Sequence, residues 1–102
     1  MAKLIALYKT PKDKDAFDRY YQATHIPLAK TIPGLRKYDI SKGGVNTPAG
    51  PSDFHLVATL QFDSVAAIQS ALGSPEGQAT AGDLANFADG GVDLLVFDTV
   101  EV

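Results

Sequence analysis

The segment FHLVATLQF, residues 54–62, sets Phe54, Leu56, Ala58, Leu60 and Phe62 against His55, Val57, Thr59 and Gln61 at a period of two, the pattern of a strand with one face committed to a core. That face needs a covering layer, and the rest of the chain supplies helices and further strands. KLIALYK, 3–9, is a first short apolar strand that ends at Thr10-Pro11, where proline cannot donate to a ladder. From Asp13 to Thr24, Phe17, Tyr20 and Tyr21 recur at helical spacing, and Asp13 and Asp15 place negative charge in the first turn. Pro27 opposes the carbonyl of Ala23 and disfavours helical backbone at Ile26, so a kink and restart are expected there, with Leu28 to Thr31 in a short new helix before Pro33-Gly34. His25 lies at this joint.

Leu35 to Lys42 reads as the second strand, and GGVNTPAGPSD, 43–53, as a loop. Asp63-Ser64 caps a helix carrying Val65, Ile68 and Leu72 up to Gly73, and Ser74-Pro75-Glu76 starts another that runs through Leu84 and Phe87 to Asp89-Gly90-Gly91. Val92 to Val102 is the last strand. The order β, α, β, β, α, β predicts an α+β, ferredoxin-like fold with a four-stranded antiparallel sheet and helices on one face, in a single domain, 1–102. In the last strand Val92, Leu94 and Val96 alternate with Leu95 and Phe97, so both sheet faces are apolar, and a homodimer packed sheet to sheet is expected to bury the second one.

Twelve acidic and nine basic residues give a net charge of -3, which argues against nucleic acid as a partner. With no cysteine and two histidines, neither a thiolate metal site nor a nucleophilic thiol is available; no metal and no cofactor are expected, and the cytoplasm is the default location. The apolar run Leu4–Tyr8 is too short for a signal-peptide core or a membrane span. Gly43-Gly44 and Gly90-Gly91 lack any phosphate-loop or dinucleotide pattern. Glu76, Asp83, Asp89 and Asp93 have neither dyad nor calcium-loop spacing and read as solvated or capping groups. Arg19, Lys30, Arg36 and Lys37 read as solubilising charges, or as a rim that steers an anion.

Imidazole titrates nearest neutrality, so His25 is the candidate general acid or base; the same residue can instead brace the carbonyls that Pro27 frees. Tyr38 can donate to a substrate oxygen or simply pack its ring. Tyr21, one turn before His25, shares its face as a pocket wall or a core residue. His55 faces away from Phe54 and Leu56 and is left outside the site.

Two stretches, HIPLAKTIPGLRKY at 25–38 and SPEGQATAGDLANFADGGV at 74–92, resemble the EthD-like family of dimeric α+β barrel proteins, and the similarity extends over nearly the whole chain. Its most specific part is a histidine-x-proline followed by proline-glycine and a tyrosine. The resemblance implies a sheet-to-sheet dimer with a pocket between sheet and helices in each subunit. Relatives include EthD proteins linked to fuel-ether degradation, muconolactone and methylmuconolactone isomerases, and cofactor-free monooxygenases of aromatic polyketide pathways. His25 and Tyr38 match the methylisomerase-type site, which acts on a lactone or carboxylate; a cysteine that serves there has no counterpart in this chain. The expectation is cofactor-independent acid–base chemistry, isomerisation or oxidation, on a small hydrophobic lactone, carbonyl or phenolic compound. Catalysis falls to His25 and Tyr38, and substrate contact to Tyr21, Leu28, Phe54 and Phe87. The alternative is a non-catalytic carrier dimer with the same pocket.

Overall fold

The computed structural model describes all residues, 1–102. Strand β1 (Ala2–Lys9) alternates buried Ala2, Leu4, Ala6 and Tyr8 with the partly exposed Lys3, Ile5 and Leu7. Helix α1 (Lys14–Tyr20) starts where the Asp13 carboxylate accepts from the Ala16 N–H at 3.0 Å. In place of the expected kink before Pro27 there is a π-helical turn, Tyr21–His25, in which the Ile26 N–H donates to the Tyr21 carbonyl; helix α2 (Ile26–Ala29) follows directly. Widening the turn is the physical answer to proline, since it relieves the clash of the ring with the carbonyl four residues back.

Strand β2 (Lys37–Ile40) is shorter than expected, although the Arg36 and Ser41 amides extend its pairing by donating to the Gln61 and Val57 carbonyls. The predicted loop contains a minimal hairpin, β3 (Asn46–Thr47) with β4 (Gly50–Pro51), which the sequence did not announce. Strand β5 (Phe54–Phe62) is central. Helix α3 (Val65–Gly73) is capped by Ser64, and Ser74 closes it and opens α4 (Pro75–Asp83), its hydroxyl donating to the Ala71 carbonyl and accepting from the Gly77 N–H. A short 3-10 turn (Leu84–Asn86) leads on to β6 (Val92–Asp98). That strand stops before the expected Val102 because Thr99 turns its N–H and hydroxyl onto the Met1 carbonyl, where the partner strand runs out.

The sheet order is β2-β5-β1-β6 with every pair antiparallel, the ferredoxin-like arrangement, and the helices cover one face. The molecule measures 35 × 34 × 18 Å, two layers thick. Along the central pair the register Leu4↔Leu60, Ala6↔Ala58 and Tyr8↔Leu56 builds the core floor, on which Phe17, Tyr21, Ile68, Ala71 and Phe87 pack. Edge strand β6 is only partly covered, although α3 touches it: Leu94 and Val96, in register with Ala6 and Leu4, are 48% and 41% exposed, as are Leu95 (48%) and Phe97 (41%) on the other side.

The register breaks once. Tyr8 lies opposite Leu56 but Lys9 opposite Phe54, so His55 is an extra residue, a β-bulge. The bulge overturns two expectations. Phe54 shares the face of Lys9 rather than that of Tyr8, and His55 turns toward α1, its ring edge-on to Phe17 at 4.9 Å and its Nε2 2.8 Å from Asp18 Oδ1.

Helix α4 approaches α3 so closely at Gly77 that a side chain would overlap the backbone carbonyl of Ala71. Gly77→Ala is therefore expected to destabilise the fold by about 1 to 3 kcal/mol, as overpacking does, against the small gain in helix propensity. Thermal unfolding followed by circular dichroism checks it; an unchanged Tm would show that α4 shifts freely.

Candidate functional site

Four buried residues, Phe17, Tyr21, His25 and Ala29, recur at intervals of four along α1, the π-turn and α2. In a straight α-helix each such step rotates the side chain by roughly 40°, since residues advance about 100° each, so the last would leave the core. The wider π-turn reverses the drift and keeps His25 pointing inward, 3% exposed.

Its imidazole is held from both ends. Nδ1 lies 2.9 Å from Asp83 Oδ2, and Nε2 lies 3.4 Å from the Tyr8 hydroxyl. A carboxylate only accepts, so Nδ1 carries the proton and the Nε2 lone pair is free to accept. Phe87 backs the ring at 4.7 Å between centroids and Tyr21 lies at 5.2 Å. Asp83, 8% exposed, also accepts from the Tyr20 hydroxyl at 2.6 Å and the Asn86 amide at 3.0 Å.

This corrects the reading of Asp83 as a solvated or capping group. A signal was present: Gly77, Thr80, Asp83 and Phe87 fall on the buried side of one helical segment, and a carboxylate on such a stripe requires partners.

His25 lines a cavity of about 50 Å³ between the sheet and the helices, bounded by 16 residues, 13 of them hydrophobic. Tyr8, Tyr21, Tyr38 and His25 give it its polar groups together with Thr80, and the Tyr21 and Tyr38 hydroxyls hydrogen-bond each other. Among the expected site residues, His25, Tyr38 and Tyr21 thus meet at one cavity. The other three do not line it. Phe87 stands behind His25; Leu28 is half-buried beside it in sequence only, its carbonyl accepting from Thr31 and Thr80; Phe54 is carried by the bulge to a separate polar groove with His55 and Asp18. The basic rim is absent from the cavity too, and Arg36 is engaged with Asp63 at 2.8 Å.

Burial governs the protonation states. Desolvation pulls the His25 pKa down, outweighing the bond and charge of Asp83 that favour the cation, so the ring is neutral at pH 7. Desolvation alone would raise the Asp83 pKa, but the bonds from Tyr20, Asn86 and His25 overcome it and hold the group below its ordinary 3.8. Burial pushes the hydroxyls of Tyr8, Tyr21 and Tyr38 up, keeping them neutral donors.

A model of the EthD domain matches residues 9–91. The chain belongs to the EthD family. An uncharacterised 11.0 kDa protein from the thcB-thcC intergenic region of Rhodococcus erythropolis is 38% identical to it over 98 residues, 96% of this chain and 94% of the other. The crystal structure of an EthD family protein from Bacillus halodurans superposes with a TM-score of 0.89 at 39% identity, covering 98% of this chain and 99% of that one. SnoaB of Streptomyces nogalater, described as a cofactor-independent oxygenase, shares the fold at 14% identity with a TM-score of 0.68, over 99% of this chain and 94% of its own.

The lowered His25 pKa fixes a sign for acid stability. Below the ordinary value of 6.5 the unfolded chain binds a proton that the folded chain refuses, so stability falls as pH drops through the window between 6.5 and the lowered value. The contribution of Asp83 is lost only on further acidification, below 3.8. Denaturant titrations at a series of pH values should give a slope approaching, at most, about 1.4 kcal/mol per pH unit in the His25 window. In His25→Gln that slope should vanish.

Proposed function

We propose that this EthD-family protein is a homodimeric enzyme that performs acid–base chemistry on a small, largely apolar molecule, with His25 moving the proton and Tyr38 polarising a substrate oxygen. The observation that carries the reading is the buried Asp83–His25 pair: the ring lines an apolar cavity, and its acceptor nitrogen Nε2 meets only the Tyr8 hydroxyl at a long 3.4 Å. A carrier would need the cavity but has no use for an imidazole fixed in one tautomer and depleted of charge.

In the reaction a substrate O–H or C–H gives its proton to Nε2, and Asp83 stabilises the imidazolium that forms. The electron pair remains on the substrate, where the neutral hydroxyl of Tyr38, with Tyr21 behind it, donates to the developing oxyanion. The lactone, carbonyl and phenolic classes all contain such a group; isomerisation returns the proton to another atom of the anion, whereas oxidation passes the anion's electrons to dioxygen as a co-substrate. Membership in a fold that includes SnoaB is consistent with the second.

Homodimer formation is part of the reading. Leu95 and Phe97 stand exposed on the helix-free sheet face beside the partly buried Ile5, Leu7 and Val57, an apolar surface of the kind a second sheet covers. A solved protein of ferredoxin-like fold from Bacteroides fragilis, 18% identical with a TM-score of 0.66, is described as dimeric.

Two measurements test the proposal. In D₂O, the protein should catalyse exchange of an acidic C–H in a panel of small cyclic ketones and lactones, and His25→Gln should slow it by about 10² or more with little loss of folded protein. Equal exchange by the variant would reject His25 as the base. Light scattering at micromolar concentration should give twice the chain mass, through an interface of roughly 1,600 Å²; a monomer mass would remove the dimer.

A further inference from the structure

Resting on the acid–base reading above, we infer that the cavity selects substrate by charge: it takes an uncharged molecule of one small ring that carries the acidic O–H or C–H, and Asp83 makes it reject the corresponding carboxylate. Among the cavity-lining residues there is no Lys, Arg, Asp or Glu. The fixed charge nearest to a ligand at Nε2 is the Asp83 carboxylate, 2.9 Å behind Nδ1.

The groups that face His25 are the Tyr8 hydroxyl from β1, the Tyr21 ring from its own helical segment, and Asp83 from α4; none is a cation. Every donor to Asp83 is neutral as well, so hydrogen bonding stabilises its charge without cancelling it. An entering carboxylate would give up its water and meet a second negative charge in a site of low polarisability, with no cation to offset either cost.

A neutral acid avoids both. Its X–H bond breaks inside the cavity, the proton bonds to Nε2, and the electron pair stays on the substrate, so the new anion is created beside the new imidazolium and the site's net charge does not change. The mouth agrees with this choice, because Leu72, Ala81, Leu84 and the exposed Leu94 line its solvent side without a charge. Size limits the ligand further: about 50 Å³ is roughly a third of the volume that encloses benzene, so only the acidic edge of one small ring enters and the remainder lies at the open side beside Leu94. The expected preference is opposite to that of a site built to hold an acid through arginine or lysine.

The test uses phenol, benzamide and benzoate, which share a ring and differ in charge and acidity, titrated into the full-length protein at pH 7.5 and fixed ionic strength. Binding is read by calorimetry and by the His25 ring resonances in NMR. Phenol and benzamide should bind and move those resonances, benzoate should bind at least tenfold more weakly than benzamide, and Asp83→Asn should bring the two within threefold. If benzoate binds within tenfold of benzamide in the wild type, or if the gap survives Asp83→Asn, the inference fails.

If that variant does not fold, benzenesulfonate, which stays anionic, replaces it as a probe on the wild type. Its affinity should rise at least tenfold as pH falls below 6.5 and on through the lowered pKa of His25, where the ring gains the charge that offsets Asp83; a flat profile overturns the inference. Ligands that bind without moving the His25 resonances, or no binding by any of the three, overturn it as well. The acid–base reading is judged separately, by exchange in D₂O with His25→Gln.

Discussion

The missing N–H of Pro27 is the constraint on which the rest of the site depends. An α-helix cannot pass through this residue without a clash at the carbonyl of Ala23, and the chain resolves it by widening the turn from Tyr21 to His25. Widening changes rotation as well as hydrogen bonding. Phe17, Tyr21, His25 and Ala29 come to lie along one buried line, and a polar ring is delivered to the floor of the helix layer, where helical periodicity alone would have carried it outward. The cost is a weaker, wider turn, and the Asp83 bond on one side of His25 and the aromatic cluster around it supply compensating contacts.

Placing His25 there settles its chemistry through its surroundings. Burial removes the proton that the ring would share at neutral pH, while Asp83 fixes which nitrogen keeps the remaining one. Neither group would hold its state alone: a buried carboxylate without the Tyr20, Asn86 and His25 donors would itself take up a proton, and a buried histidine without Asp83 would be free to choose its tautomer. Tyr20 and Asn86 therefore act on the cavity through Asp83, from the side of the helix layer that faces away from it.

What could be read from the chain and what could not divides by range. Ser64 and Ser74 announce their helices because a cap is satisfied within three residues, Asp13 does so by its charge, and Pro27 announces locally that the α-helical pattern breaks before it. The alternation of 54–62 identifies β5, yet it misplaces Phe54 and His55, because a bulge is a property of two strands in register and Tyr8 and Lys9 are more than forty residues away. Tyr21 could be assigned to the site of His25 from helical spacing and Tyr38 through the family resemblance, whereas Asp83, 58 positions from His25, reads locally as a helix-end carboxylate. Only its place on the buried stripe of Thr80 and Phe87 distinguishes it from Asp89, which stays exposed. Leu28 was misread for a geometric reason: it is three residues from His25, but beyond the π-turn the inward position passes to Ala29.

Site and surface meet at β6. A two-layer domain of 102 residues has little interior to give to a ligand, so a cavity is tolerable chiefly where the covering layer ends. Helix α3 packs on β1, β5 and β6 but leaves much of the edge strand in solvent, and there the half-exposed Leu94 lines the cavity while Leu95 and Phe97, on the opposite face of the same strand, stand out into solvent. Because side chains alternate along a strand, any partner that fixes β6 by covering Leu95 and Phe97 also fixes the position of Leu94. In the dimer proposed above, assembly through the open face and access to His25 would thereby be joined by covalent geometry, through one strand that is apolar on both faces.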